Sequence, residues 1–320
     1  MGFVIGMDEA GYGPNLGPLV VTATVWEVPG APQSTQFWDQ FAGLVVQHAP
    51  RSIDEIQIAD SKVVHDTVKG VGPLERGVLA AWGLIEQLPT SLKAWWDRIA
   101  TNPLTLNSSR VPHNEPWFHD SDIPVPQQTP HAEVSRLSEL WATRCAEKKI
   151  RLRAIKSDIV LTRRFNTLTT QHDSKGLALS GISMRLLQEV LPVTEGQPTL
   201  VWCDKHGGRN RYDELLQDIA GDTFISRLEE GSERSRYRIG QTEVCFQTRA
   251  EVHLPVALAS MVSKYWREST MTLFNQFWQR HQPELKPTKG YPTDAKRFKE
   301  DIAASQKRLG IEELDLWRAR

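Results

Sequence analysis

The sequence predicts an α/β fold built around a central mixed sheet. Short β-branched or apolar runs that read as strands are interspersed with longer periodic runs that read as helices. The two kinds do not alternate strictly, as a doubly wound parallel sheet would require. With 320 residues, 40% of them hydrophobic and 24% charged, the chain can bury a sizeable core as one large domain or one domain with an insertion.

The elements follow in order. Residues 3–7 (Phe-Val-Ile-Gly-Met) read as a buried strand that runs into Asp8-Glu9 and a glycine turn. Residues 19–26 (LVVTATVW) read as a second strand one turn away, hence an antiparallel partner. Residues 36–48 and 73–87 read as helices, with Pro73 tolerated in a first turn. Residues 88–132 hold Pro89, Pro103, Pro112, Pro116, Pro124, Pro126 and Pro130 together with Trp95, Trp96, Trp117 and Phe118. That is too aromatic for a linker, so it reads as an inserted, partly ordered excursion.

A helix is expected over 132–149, from Val134, Leu137, Leu140 and Trp141. A strand with one basic face is expected over 150–156, a helix over 176–191, and a short strand over 200–203 that ends at Asp204. Two strands, 223–228 and 236–248, flank a polar turn. A long helix covers 255–280, and another covers 294–309, stopped by Gly310. The resulting domain division is a core of 1–87 and 150–280, an insertion over 88–149, and a C-terminal loop and helical region over 281–320.

The net charge is −1, so any contact with nucleic acid must come from local basic patches rather than from the field of the whole molecule. Cys145, Cys203 and Cys245 are odd in number and far apart, which argues for a reducing compartment and against a disulfide framework. The start lacks a basic n-region, and no apolar run approaches ~20 residues. A cytoplasmic monomer without a membrane segment is the expectation.

Four constellations could carry chemistry. In Asp8-Glu9-Ala10-Gly11-Tyr12-Gly13-Pro14 two acids stand at a strand end. Neighbouring strand residues point to opposite faces, so both reach one surface only if the chain turns. Gly11 and Gly13 permit that turn, and permit backbone N–H groups to approach a phosphate or sugar. Asp204 ends a buried strand, a rigid place for a metal ligand, and a cationic loop (Lys205, Arg209, Arg211) follows it. Glu251 precedes a helix whose small residues allow close packing on the sheet. In Lys289-Gly290-Tyr291-Pro292-Thr293 a tyrosine held between Gly and Pro offers a flat stacking face. Taken singly, each has an ordinary structural reading: a polar turn, a capped loop, a surface acid, an aromatic plug. No Ser or Cys is positioned with His206 or His253 as a triad requires.

Together and in this order, the four segments and Asp60-Ser61-Lys62 resemble ribonuclease HII. The family motif Asp-Glu-Ala-Gly-Arg-Gly-Pro appears as DEAGYGP, and its Ala-Ser-Ile-x-Ala-Lys helix appears as Ala259-Ser260-Met261-Val262-Ser263-Lys264. The strand ending in Asp-Gly appears as LVWCDKHGG, and Lys-Gly-Tyr-Pro-Thr is intact at 289–293. The resemblance covers roughly residues 2–87 and 150–310. It implies a ribonuclease-H-like fold with flanking helices and a C-terminal helical region.

The implied activity is an endoribonuclease that cuts the RNA strand of RNA–DNA hybrids, or at ribonucleotides embedded in DNA, and leaves 5′-phosphate and 3′-hydroxyl ends. Asp8, Glu9, Asp204 and Glu251 would bind two divalent ions, Mg²⁺ or Mn²⁺. Gly11, Tyr12 and Gly13 would read the ribose 2′-hydroxyl. Tyr291 would stack on the next sugar, and Lys62, Ser260 and Lys264 would contact the phosphate backbone.

Three departures stand out. Tyr12 replaces the family's arginine and loses a phosphate contact. Counted back from Ser260 without a gap, the fourth acid falls on Ala250, whereas one residue deleted after Pro255 places it on Glu251, the assignment adopted. The insertion has no counterpart in short family members. The alternative is a catalytically impaired homologue that binds nucleic acid without cutting.

Overall fold

The computed structural model describes residues 1–65, 68–101, 115–119 and 121–318. Pro103 and Pro112 lie outside the described residues. In chain order the first elements are β1 (Gly2–Ala10), β2 (Leu19–Val28), α1 (Phe37–Gln40), β3 (Val45–Val46), β4 (Ile56–Gln57), α2 (Ser61–Val64), α3 (Gly72–Trp82), α4 (Leu92–Ile99), α5 (His131–Lys148) and β5 (Arg151–Val160). There follow α6 (Thr162–His172), α7 (Lys175–Val190), β6 (Thr199–Asp204), α8 (Asp213–Ala220), β7 (Ile225–Glu230), β8 (Arg234–Ile239), β9 (Thr242–Gln247), α9 (Leu254–His281), α10 (Pro292–Leu309) and α11 (Glu313–Leu316).

The expected α/β fold with a central mixed sheet is what forms. Seven strands lie in the order β5-β2-β1-β6-β9-β8-β7. β1, β6 and β9 are parallel neighbours. β2 pairs antiparallel with both β1 and β5, and β8 pairs antiparallel with β9 and β7.

The pleat sorts the core into two layers. Phe3, Ile5 and Met7 of β1 join a cluster with Leu179, Ile182 and Leu187 of α7. Val4, Val20 and Trp26 join the larger cluster with Leu258, Met261 and Tyr265 of α9. α9 crosses close over the sheet because Gly6 has no side chain: a Cβ there would collide with the backbone of Pro255 and Val256. Thr24 then donates to Pro255 O at 2.8 Å, and the Ser263 and Thr22 hydroxyls lie 2.8 Å apart in a hydrogen bond. The small residues of this helix are thus met by small and hydroxyl residues beneath it.

The tryptophans of 88–149 are core residues. Trp95 and Trp96 lie 5.0 and 5.5 Å from the Trp266 ring, and Trp117 lies 4.9 Å from Phe274. Buried Glu75 of α3 accepts the backbone N–H groups of Gln127, Gln128 and Thr129. The excursion is fastened to α3 and α9.

Several boundaries differ from expectation. The helix expected over 36–48 is one turn, α1, because Gly43 adopts φ +78° and the chain leaves as β3. The strand expected over 236–248 is two strands, β8 and β9, separated by Gly240 at φ +56°, a tight hairpin. α4, α6 and α8 were not anticipated. The three cysteines are buried and free. Among the described residues no helix is long and apolar enough to cross a membrane.

Candidate active site

Because β1, β6 and β9 run the same way side by side, their C-terminal ends share one edge of the sheet, where parallel strands commonly present ligand-binding groups. Asp8 and Glu9 stand near the end of β1, and Asp204 is the last residue of β6. Glu251 follows β9 in the single 3₁₀ turn Ala250–Val252. The turn expected at the Asp8-Glu9 pair does not occur there, since β1 continues to Ala10. What opens the corner is the loss of its other neighbour: β1 pairs with β6 only as far as Met7↔Cys203, and beyond that with β2 alone.

The acids sense one another. Burial holds the Asp8 carboxyl well above the usual range; the charges of Glu9, Glu251 and Asp204 push the same way, and a hydrogen bond with Ser260 opposes them. Burial and then Asp204 raise Glu9 to about 7, with Lys62 opposing. Asp204 is raised by burial against the pull of backbone N–H groups, including that of Ala250 at 3.2 Å. Glu251 is raised by burial, helped by Asp204 and Asp60. Burial lowers the Lys62 ammonium, but Asp60, Glu251, Asp8 and Asp204 together overcome it.

Oxygen donors that destabilise each other's charge are, by their chemistry, the kind a hard divalent cation takes. Among the described residues no three His, Cys, Asp or Glu side chains converge into one compact cluster. Of the four acids, Asp204 and Glu251 border an open groove, and Asp8 is buried beside it at 7% exposure. A cavity of about 540 Å³ is bordered by Asp60, Lys62, Asp204, Arg249 and Glu251. Glu251 therefore shares this groove with Asp60 and Asp204, while the side chain of Ala250 is fully buried.

Asp60 was not singled out as a site residue, although it sits in a recognised segment. It caps α2, accepting the Lys62 N–H at 2.9 Å, and so aims Lys62 across the groove.

Beside the acids lies the loop 11–18. Gly11 has φ +92°, and a Cβ there would stand 2.5 Å from Pro18 O and 2.9 Å from Arg267 Cδ. Nothing lies within 4 Å of a Cβ at Gly13. Tyr12 is half-buried and turned toward the start of α7, where Lys175 Nζ sits 4.7 Å from its ring centroid. Arg267 of α9, 1% exposed, donates to Pro18 O at 2.8 Å, Leu16 O at 3.2 Å and Lys289 O at 3.0 Å. Gly290 O accepts from Asn15 N at 2.8 Å. The Lys289-Gly290-Tyr291 loop is thereby clamped to the loop after β1, leaving Tyr291 half exposed at the N-terminus of α10.

Ser260 and Lys264 are placed otherwise than as open phosphate contacts. Ser260 is 2% exposed, its hydroxyl lies 3.0 Å from Ser61 Oγ, and it bonds the Asp8 carboxyl. Lys264 pairs with Glu268 at 2.8 Å, and the same carboxylate takes Lys289 at 2.8 Å and lies 3.8 Å from His65. Glu268 and Arg267 escaped the sequence reading, since nothing in the helix pattern marks them. His206 Nδ1 is 3.0 Å from Ser180 Oγ, but both side chains are buried and Ser180 donates to Gly176 O within its own helix. This pair has no exposed nucleophile.

No protein-family model and no curated protein matches the chain. Among solved structures it is similar to a chain of the PCNA:RNase HII complex from Archaeoglobus fulgidus, with 12% identity, 99% of this chain and 94% of that one covered, and a TM-score of 0.41. It is also similar to ribonuclease H2 from Pyrococcus horikoshii OT3, with 14% identity, 98% and 92% covered, and a TM-score of 0.38. A third is Bst-RNase HIII in complex with Mn²⁺, with 14% identity, 99% and 65% covered, and a TM-score of 0.40.

Proposed function

We propose that the chain is a type 2 ribonuclease H that hydrolyses the RNA strand of RNA–DNA duplexes, or the strand at a ribonucleotide embedded in DNA. The observation that carries this reading is that Asp8 and Glu9 of β1, Asp204 of β6 and Glu251 in the turn after β9 stand at one edge of the sheet, close enough for the other three charges to raise the Asp8 carboxyl. A binding protein gains nothing from clustered acids that repel phosphate unless cations neutralise them.

In this reading the four acids hold two divalent ions, Mg²⁺ or Mn²⁺. When bound, such ions supply an activated water and stabilise the leaving 3′ oxygen of an in-line displacement. The protein's own residues prepare the rest. Ser260 steadies the Asp8 carboxyl, and Ser263 donates to the Asp8 carbonyl at 3.1 Å. Lys62 offers a cation across the groove. The backbone at Gly11, Tyr12 and Gly13 is the donor surface for a ribose 2′-hydroxyl. Tyr291 is exposed to stack on a neighbouring sugar, and its clamp to the 11–18 loop keeps both contacts in register.

A second reading, a homologue that binds without cutting, is favoured by Tyr12 turning toward α7 and by Lys264 being already paired. One assay separates the two. A labelled DNA duplex containing one ribonucleotide, and an RNA–DNA hybrid, are incubated with Mg²⁺ or Mn²⁺ and wild type or Asp8→Asn. Metal-dependent cutting lost in Asp8→Asn supports the nuclease. Folded wild type that binds both duplexes and cuts neither leaves the binding homologue.

A further inference from the structure

The loop 11–18 carries no cation of its own, yet a buried one stands directly behind it. Arg318 follows α11 and is 1% exposed. Its Nη1 donates to Gly11 O and Gly17 O, its guanidinium lies 4.0 Å from the Phe165 ring centroid, and its backbone N–H donates to Asn15 O at 2.8 Å. Asn15 Nδ2 returns a bond to Arg318 O at 3.4 Å. Its Nε and Nη2 are buried and have no partner among the described residues, and no carboxylate pairs with it there. Arg267, equally buried, lies close enough for the two charges to repel.

Burying an unpaired cation is costly, and burying two side by side is more so. The arrangement makes physical sense if the opposing charge is external. The two guanidiniums occupy the carbonyls of Gly11, Leu16, Gly17 and Pro18 from inside the fold. The N–H groups of Tyr12 and Gly13 have no acceptor among the described residues. Gly13 is exposed, with open space around it. The loop therefore holds two backbone donors without acceptors among the described residues, backed by positive charge, a combination suited to an anion.

We propose that Arg318 is the positioning cation of this loop: it holds Tyr12 and Gly13 so that their N–H groups bind a phosphodiester oxygen, and it supplies from the far end of the sequence the positive charge that Tyr12 does not. This rests on the nucleic-acid substrate proposed above and adds to its donor loop a positioning residue and a phosphate contact.

The test is the salt dependence of duplex binding, by fluorescence anisotropy of a labelled all-DNA duplex, with cleavage of the ribonucleotide-containing duplex measured in parallel. Arg318→Ala is expected to weaken binding about tenfold at low salt and to reduce the slope of log Kd against log salt by about one. Tyr12→Arg in the Arg318→Ala background is expected to restore the slope. Where Arg318→Ala does not fold, Arg318→Lys and Arg318→Gln carry the comparison, with Lys keeping the slope and Gln losing it. A merely structural role would lower the melting temperature without changing the slope, and an unchanged slope in a folded Ala or Gln variant overturns the proposal, as does a wild type that binds no duplex. Wild type that cuts while the variant slope is unchanged sinks the subsite alone. Wild type that binds without cutting, with the slope reduced in the variant, keeps the subsite and sinks the nuclease.

Discussion

The backbone N–H of Ala250 donates to the Asp204 carboxylate at 3.2 Å, so the turn carrying Glu251 is tied to the strand end carrying Asp204. Glu251 reaches the groove because its neighbour anchors the turn. Glu251→Gln, which keeps size but not charge, is expected to reduce metal-dependent cleavage by about two orders of magnitude. Moving the acid one residue back, as Ala250→Asp with Glu251→Ala, is expected not to restore it, because position 250 is fully buried. Cleavage kinetics on the ribonucleotide-containing duplex, with thermal melts as the folding control, decide both.

Gly11 and Gly13 have opposite demands although they flank one residue. Gly11→Ala meets Pro18 O and a left-handed backbone, and is expected to cost about 1–3 kcal/mol of stability. Gly13→Ala has open space and is expected to melt within about 0.5 kcal/mol of wild type. If Gly13→Ala nevertheless raises KM, the methyl is meeting substrate; unchanged KM would remove Gly13 from the binding surface.

Tyr291 is 50% exposed on a clamped loop, so its ring is available without serving the core. Tyr291→Phe is expected to keep cleavage near wild type, and Tyr291→Ala to lose about 1–3 kcal/mol of binding through lost stacking, with little change in melting temperature. Equal losses in Phe and Ala would point to the hydroxyl instead of the ring.

Glu268 should give the protein an acid-sensitive component. Burial alone would raise its carboxyl, but Lys264 and Lys289 more than offset this and hold it at about 2, below its ordinary 4.5. A carboxylate depressed on folding stabilises the native state above its unfolded pKa, and that contribution fades as pH falls through the folded value. The expectation is about 3 kcal/mol, present above pH 4.5 and lost between there and about 2. Urea denaturation across that window should show the slope in wild type and a flatter profile in Glu268→Gln. Parallel profiles would show that the ion pairs contribute nothing.

The legible parts of this protein were those written locally. Asp8, Glu9 and Asp204 stand at the ends of apolar runs, and the pattern of such runs was enough to expect the mixed sheet. The long α9 and the Gly310 stop of α10 were equally local. What escaped depends on distant partners. Arg267 meets Pro18 across 249 positions, and Arg318 meets Gly11 across 307, separations that no window of sequence spans. Residues 162–172 carry polar and β-branched positions that veil their helical period. The Trp-rich stretch read as an excursion because its proline content was visible and its burial against Trp266 and Phe274 was not.

The mutual bonds between Asn15 and Arg318 join residues 303 positions apart. During synthesis the chain emerges in order, and contacts this remote form only after the intervening segments exist. The acids of β1 are made roughly 300 residues before Arg318, so the loop beside them waits for this fastening until long after its own residues exist. A growing polypeptide would thus carry Asp8 and Glu9 long before the 11–18 loop beside them was fastened, so the order of translation is also the order in which this corner of the sheet acquires its two halves.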